Sequence, residues 1–138
     1  MQINLTTDYA LRCIIFLSQQ EGDVSSKEVS DAIKISREFV QRIMQKLRGA
    51  GLVAHTMGAS GGYRLAKKPE DIRLMDIFDT MEDTMRVNRC VEDDEYCSIG
   101  MPQTCNMHHF YEELQAKLNS YFNDNTIANI LAADYKLD

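Results

Sequence analysis

The sequence predicts a mainly α-helical chain carrying one small β-hairpin. Apolar residues recur at spacings of three and four along most of the 138 residues, and the period changes only around a loop with three glycines in five positions. With 44% of residues apolar, a single domain can close a core without disulfide staples. The same composition excludes collagen-like, low-complexity and disordered classes.

The first helix runs from Thr7 through Ala10, Leu11, Ile14, Ile15 and Leu17, with Thr6 or Thr7 as its cap and Asp8 near the positive end of its dipole. Glu21-Gly22-Asp23 ends it. Ser25-Ser26-Lys27-Glu28 then reads as a capping box, in which hydroxyl and carboxylate each satisfy an orphan backbone N–H, opening a short helix through Val29, Ala32 and Ile33. Ser36 caps a third helix after a tight turn. There Phe39, Val40, Ile43, Met44 and Leu47 form one apolar stripe, while Arg37, Gln41, Gln45 and Arg48 lie opposite. Gly51 stops it where a left-handed residue is needed.

Leu52 to Met57 and Tyr63 to Leu65 are strand-like runs joined by Gly58-Ala59-Ser60-Gly61-Gly62, which reads as a hairpin. After Pro69 the helical period resumes over Ile72 to Met81. From Met85 to Gln103 no period holds, and this irregular segment contains the acidic run Glu92-Asp93-Asp94-Glu95. A long helix follows, with Met107, Phe110, Tyr111, Leu114, Leu118, Tyr121 and Phe122 on one wide side, and Thr126 caps a last turn through Ile130 and Leu131.

The formal net charge of -6 conceals a division. Residues 1–68 carry ten Lys and Arg against six Asp and Glu, a net of +4, whereas residues 69–138 carry five against fifteen, a net of -10. Within 26–68 alone the balance is nine to three, or +6. Such asymmetry points to nucleic acid or a membrane surface. A membrane-surface role would leave the apolar helix faces free, and here the core needs them. No run approaches the roughly eighteen apolar residues of a membrane span, and Asp8 and Arg12 interrupt the stretch a signal peptide would need. The expected location is the cytoplasm.

Two short helices, a tight turn, a longer helix with a polar face and a glycine-rich hairpin occur in the order of a winged helix-turn-helix. Double-stranded DNA is the partner this order predicts. In that arrangement the N-terminal residues of the third helix reach base edges in the major groove, and Ser36, Arg37, Gln41 and Arg42 occupy those positions, with Arg48 further along. Arg pairs bidentately with guanine and Gln with adenine. In the wing, Ser60, Gly61 and Gly62 permit close approach of the backbone to DNA, with Tyr63 and Arg64 beside them. Lys27, Lys46, Lys67 and Lys68 are phosphate contacts or plain surface.

Of four cysteines, Cys13 lies among apolar neighbours and reads as a small buried hydrophobe. Cys90, Cys97 and Cys105 fall within sixteen residues, spaced Cys-x6-Cys-x7-Cys and followed after two residues by His108. This is neither the paired spacing of zinc ribbons nor the ferredoxin run, so three thiolates and a further ligand could hold zinc or an iron-sulfur cluster. A metal-free thiol switch among the three is the other reading. No phosphate-binding loop and no supported nucleophile motif points to an enzyme.

The stretch Thr7-Asp8-Tyr9-Ala10-Leu11-Arg12, the run Leu47-Arg48-x-Ala50-Gly51-Leu52-Val53, the wing Gly58-x2-Gly61-Gly62-Tyr63-x-Leu65, the pair Pro69-x2-Ile72 and the three-cysteine segment together resemble the bacterial regulator family of IscR, NsrR and CymR, over nearly the whole chain. The resemblance implies a homodimeric winged-helix transcription factor, acting as a repressor on a pseudo-palindromic operator. It implies an organisation of DNA-binding unit (1–84), cluster loop (85–105), and dimerisation helix with tail (106–138). By the same resemblance Cys90, Cys97 and Cys105 become ligands of an iron-sulfur cluster whose state controls operator binding in response to nitric oxide, redox state or iron supply. Asp8 falls in the motif resembling NsrR, where a carboxylate from the partner subunit completes a [4Fe-4S] site. His108 falls at the spacing resembling IscR, where a histidine completes a [2Fe-2S] site. The longer N-terminal match favours Asp8 and [4Fe-4S], with His108 and [2Fe-2S] as the alternative. Gln41 and Met57 depart from IscR, so no operator sequence carries over. The four carboxylates beside Cys97 predict a low reduction potential.

Overall fold

A computed structural model describes residues 2–133, so residues 134–138 of the expected tail lie outside the described part. Six α-helices and one antiparallel hairpin make up its regular structure. Helix α1 (Leu5–Ser18) is capped by Asn4, whose side chain accepts the Thr6 N–H at 2.8 Å, rather than by Thr6 or Thr7. Thr7 is instead fully buried one turn in, and its hydroxyl donates to Glu82 Oε1 at 2.5 Å. Glu82 Oε1 also accepts the Asn4 N–H at 2.8 Å. Asn, Thr and Thr are locally near-equivalent caps, and this long-range pairing selects among them.

Helix α2 (Ser26–Ile33) begins with the expected capping box between Ser25 and Glu28. It ends on Lys34, which adopts a left-handed φ of 60°. Two residues later Ser36 accepts the Phe39 N–H and opens α3 (Arg37–Gly49). Gly51 follows at φ 74°, where the chain reverses into the hairpin. Strands β1 (Val53–Thr56) and β2 (Gly62–Leu65) pair with Val53 opposite Leu65 and Thr56 opposite Gly62. Tyr63 also exchanges both backbone hydrogen bonds with Val24, at 2.7 and 2.9 Å, fastening the hairpin to the turn before α2.

A 3-10 turn at Pro69–Asp71 leads into α4 (Leu74–Met81). The cysteine segment is irregular apart from 3-10 turns at Arg89–Val91 and Pro102–Thr104. Helix α5 (Asn106–Asp124) packs on α4 through Phe122 and Phe78, whose ring centroids lie 4.6 Å apart. Thr126 caps α6 (Ile127–Ala132) as expected. That last helix returns to the first part of the chain: Ile127 donates its N–H to the Ile72 carbonyl, Leu74 donates to Asn125, and the Ile127 side chain is wholly buried. It joins Ile14, Ile43, Met44, Leu47, Leu52 and Ile77 in one core.

Candidate nucleic-acid interface and cysteine segment

Val40, Ile43, Met44 and Leu47 of α3 enter the core, which leaves the opposite face in solvent. Ser36, Arg37, Gln41, Arg42 and Arg48 are all exposed there. The Arg37 guanidinium reaches Ser26 Oγ at 3.4 Å, and that of Arg42 lies 5.2 Å above the centre of the Phe39 ring. Phe39 is half-buried and meets Tyr9 of α1 edge-to-face at 5.6 Å.

In the wing, Ser60 is exposed while Gly61 and Gly62 answer a packing demand. A Cβ at 61 would stand 2.0 Å from the Thr56 carbonyl oxygen, and one at 62 would stand 2.4 Å from that of Val24. Tyr63 is buried and stacked on His55, with centroids 4.6 Å apart. Arg64 donates to Thr56 Oγ1 at 2.7 Å and to Asp23 Oδ1 at 3.0 Å. The Thr56 hydroxyl, and then the Arg64 guanidinium, hold the Asp23 carboxyl below the ordinary carboxylate range. Asp23 and Thr56 were not singled out from the sequence; hairpin register signals Thr56, but no local pattern signals Asp23. Met57, at the wing tip, is 82% exposed.

The three loop cysteines are free thiols of intermediate burial. Cys90 sits in the first 3-10 turn, and Cys105 is the residue from which α5 starts. The Cys97 thiol pKa is lowered, chiefly by the backbone N–H of Ile99 and then by those of Met101 and Gly100, which together outweigh the desolvation that raises it. Burial instead pushes the Cys13 thiol up to about 12, as suits a core residue. A cleft of about 600 Å³ between the segment and α5 is lined by Cys90, Glu95, Pro102, His108, Glu112 and Gln115 among others. His108 Nδ1 is buried beside it without a hydrogen-bond partner, and its Nε2 lies 3.5 Å from Glu112 Oε1. Gln115, itself buried, accepts the Val87 N–H and donates to the Met85 carbonyl, clasping the start of the segment to α5. Asp8, at the other end of the molecule's sequence, pairs with Arg12 one turn along α1 at 2.8 Å. Among the described residues no three His, Cys, Asp or Glu side chains are grouped closely enough to hold a metal ion.

The acidic run is not four free charges. Asp93 pairs with Arg86, Asp94 pairs bidentately with Arg89, and Glu92 accepts from Thr84. This local neutralisation weakens the electrostatic reason for a low reduction potential.

A helix-turn-helix with a solvent-facing basic helix and a hairpin wing defines the class of winged-helix, DNA-binding transcriptional regulators. The family model described as Rrf2, iron-dependent transcriptional regulator, matches residues 3–133, and the chain belongs to that family. It is 28% identical over 117 residues to the HTH-type transcriptional regulator IscR of Aliivibrio salmonicida, a match covering 85% of this chain and 68% of that protein. Identity with the HTH-type transcriptional regulator NsrR of Bacillus subtilis is 29% over 115 residues, covering 82% and 78%. Among solved structures, CymR, the global cysteine regulator of B. subtilis, has a TM-score of 0.76 at 23% identity over 94% of this chain and 95% of that one, a likeness of fold. The chain is thus a DNA-binding regulator and not an enzyme. Among the described residues no helix is long and apolar enough to cross a membrane.

Proposed function

We propose that this regulator binds a pseudo-palindromic operator as a homodimer, probing the major groove with α3, and that an iron-sulfur cluster on Cys90, Cys97 and Cys105 controls the binding as a repressor's sensor. Ser36, Arg37, Gln41 and Arg42 contact base edges, Arg48 the backbone, and Ser60 with Gly61 and Gly62 brings the wing close to phosphate. Tyr63 serves the wing by packing, and Arg64 reaches DNA from its bonds to Asp23 and Thr56. The exposed apolar side of α5, with Met107, Phe110 and Tyr121 each more than half accessible, supplies the surface for the second subunit.

The observation that carries the cluster reading is the donor set itself: three half-buried free thiols on one segment, which cluster binding would draw together from their present spacing, with the Cys97 pKa lowered chiefly by nearby backbone N–H groups. N–H donors facing a sulfur stabilise the thiolate and thereby the ligand. When bound, the cluster would supply one-electron redox chemistry and reactivity toward nitric oxide or oxygen. The chain's own residues supply the coupling. Gln115 ties the segment to α5, and Glu82, three residues before Met85, ties its approach to Asn4 and Thr7 of α1. The resemblance favours Asp8 of the partner subunit as fourth ligand and [4Fe-4S] as cluster. The unpartnered buried Nδ1 of His108 favours a second reading, in which His108 completes a [2Fe-2S] site.

Anaerobic purification followed by absorption spectroscopy and analysis for iron, sulfide and zinc tests the proposal. Colour, iron and sulfide are expected in the parent protein and in Cys13→Ala, and their loss in Cys90→Ala, Cys97→Ala and Cys105→Ala. Asp8→Ala against His108→Ala separates the two ligand sets. A colourless protein with stoichiometric zinc would overturn the cluster in favour of a structural Cys3His site; metal-free protein that forms a disulfide under peroxide would establish the thiol switch.

A further inference from the structure

Most arginines of this chain are committed to carboxylates. Arg12 pairs with Asp8, Arg64 with Asp23, Arg73 with Asp76, Arg86 with Asp93 and Arg89 with Asp94. The arginines of α3 have no such partner among the described residues, and Arg42 alone among them is laid on an aromatic face. The distinction matters chemically. A carboxylate consumes the in-plane N–H donors of a guanidinium, whereas a ring beneath it engages the charge through its face and leaves all five donors free at the edge. Arg42 is thus held in orientation with its hydrogen-bonding capacity intact.

The ring that holds it is held in turn. Phe39 precedes Arg42 by three residues, so the two stand on one side of α3, and Phe39 packs partly into the core. Its position is fixed from outside the helix by the Tyr9 ring at 5.6 Å and an interplanar angle of 90°. Tyr9 belongs to the first turns of α1, two residues from the buried Thr7 whose hydroxyl meets Glu82.

We infer that Tyr9 and Phe39 are positioning residues for operator recognition: Phe39 lies beneath the Arg42 guanidinium and Tyr9 fixes Phe39 edge-on, so that together they set where Arg42 meets a base edge and α1 governs the aim of a side chain on α3. This rests on the reading of Arg42 as a base contact. An arginine already oriented loses less rotamer freedom on binding than a free one, and with no carboxylate partner it keeps its N–H donors for a base edge.

The test uses the full chain, purified anaerobically, and a randomised duplex DNA library from which bound molecules are recovered and sequenced. Arg42→Ala is expected to lower the preference at one base pair of each half-site by about tenfold. Phe39→Leu and Tyr9→Leu should lower preference at that same base pair by about threefold and leave the other positions unchanged, while Phe39→Tyr and Tyr9→Phe, which keep the rings, should retain it. Thermal unfolding of each variant shows that it is folded, and Tyr9→Leu serves should Phe39→Leu fail to fold. Phe39→Leu or Tyr9→Leu with parental base preference, or with a uniform loss at every position, would overturn the positioning role. Parental preference in Arg42→Ala would overturn the base-contact reading itself, and the inference with it.

Discussion

At position 62 a single methyl group decides whether the wing can dock. The Gly62 Cα faces the Val24 backbone so closely that a Cβ would lie 2.4 Å from the carbonyl oxygen and 2.5 Å from its carbon. Gly62→Ala is expected to destabilise the fold by about 1–3 kcal/mol through overpacking against backbone that cannot step aside, seen as a lower midpoint in urea; an unchanged midpoint would mean the contact is not made in solution. The sequence marks Gly62 for close approach of backbone to DNA; the structure shows a further reason for glycine there, the chain's own Val24 backbone. Asp94 shows the same gap between type and role. Its four-carboxylate run is plain in the sequence, yet the bidentate hold of Arg89 is not, because the two are five residues apart in a segment without a period. That hold lowers the Asp94 carboxyl to about 2. A folded-state pKa below the unfolded one gives stabilisation that is present above the ordinary carboxylate value and is lost as pH falls through about 2. NMR titration of the carboxyl carbon should find the depressed value in the parent protein and the ordinary one in Arg89→Ala.

Helix starts at Ser25, Ser36 and Thr126 were legible because a cap acts on N–H groups two and three residues away. The start of α1 was not, because Asn4, Thr6 and Thr7 satisfy the same local rule and a carboxylate 75 residues further on selects between them. Lys34 in a left-handed turn was equally invisible, since Gly or Asn is the usual signal there. Helix α5 belongs between these cases. Its wide apolar stripe exceeds what one chain can bury: Phe122 meets Phe78, whereas Met107 and Phe110 are each 53% exposed and Tyr121 is 57% exposed. If this face holds the second subunit, Phe110→Glu should weaken self-association by about 2 kcal/mol or more, read by sedimentation equilibrium, with a matching loss of affinity for a two-half-site duplex. Persistence of the dimer would assign the exposed aromatics another role.

For the molecule as a whole, the legible feature was the charge. The +6 stretch between residues 26 and 68 spans α2, α3 and the hairpin, and the acidic remainder holds the cysteine segment and α5. Spatial closure was not legible, because nothing in the pattern around Thr126 says which earlier element it meets. Ile127 is completely buried beside Ile72, more than fifty positions earlier. Ile127→Ala should lower stability by about 2–5 kcal/mol in urea titration through the cavity it leaves, whereas Leu131→Ala, at an exposed site, should cost little. The same closure has a consequence in time. During translation the three leading helices and the hairpin emerge first and can begin to pack, but the backbone groups of Ile72 and Leu74 stay unmated until Asn125 and Ile127 leave the ribosome, after the whole of α5. Closure of the fold therefore waits on the last described helix, and a chain halted before Asn125 would lack both of these bonds and the buried Ile127 side chain.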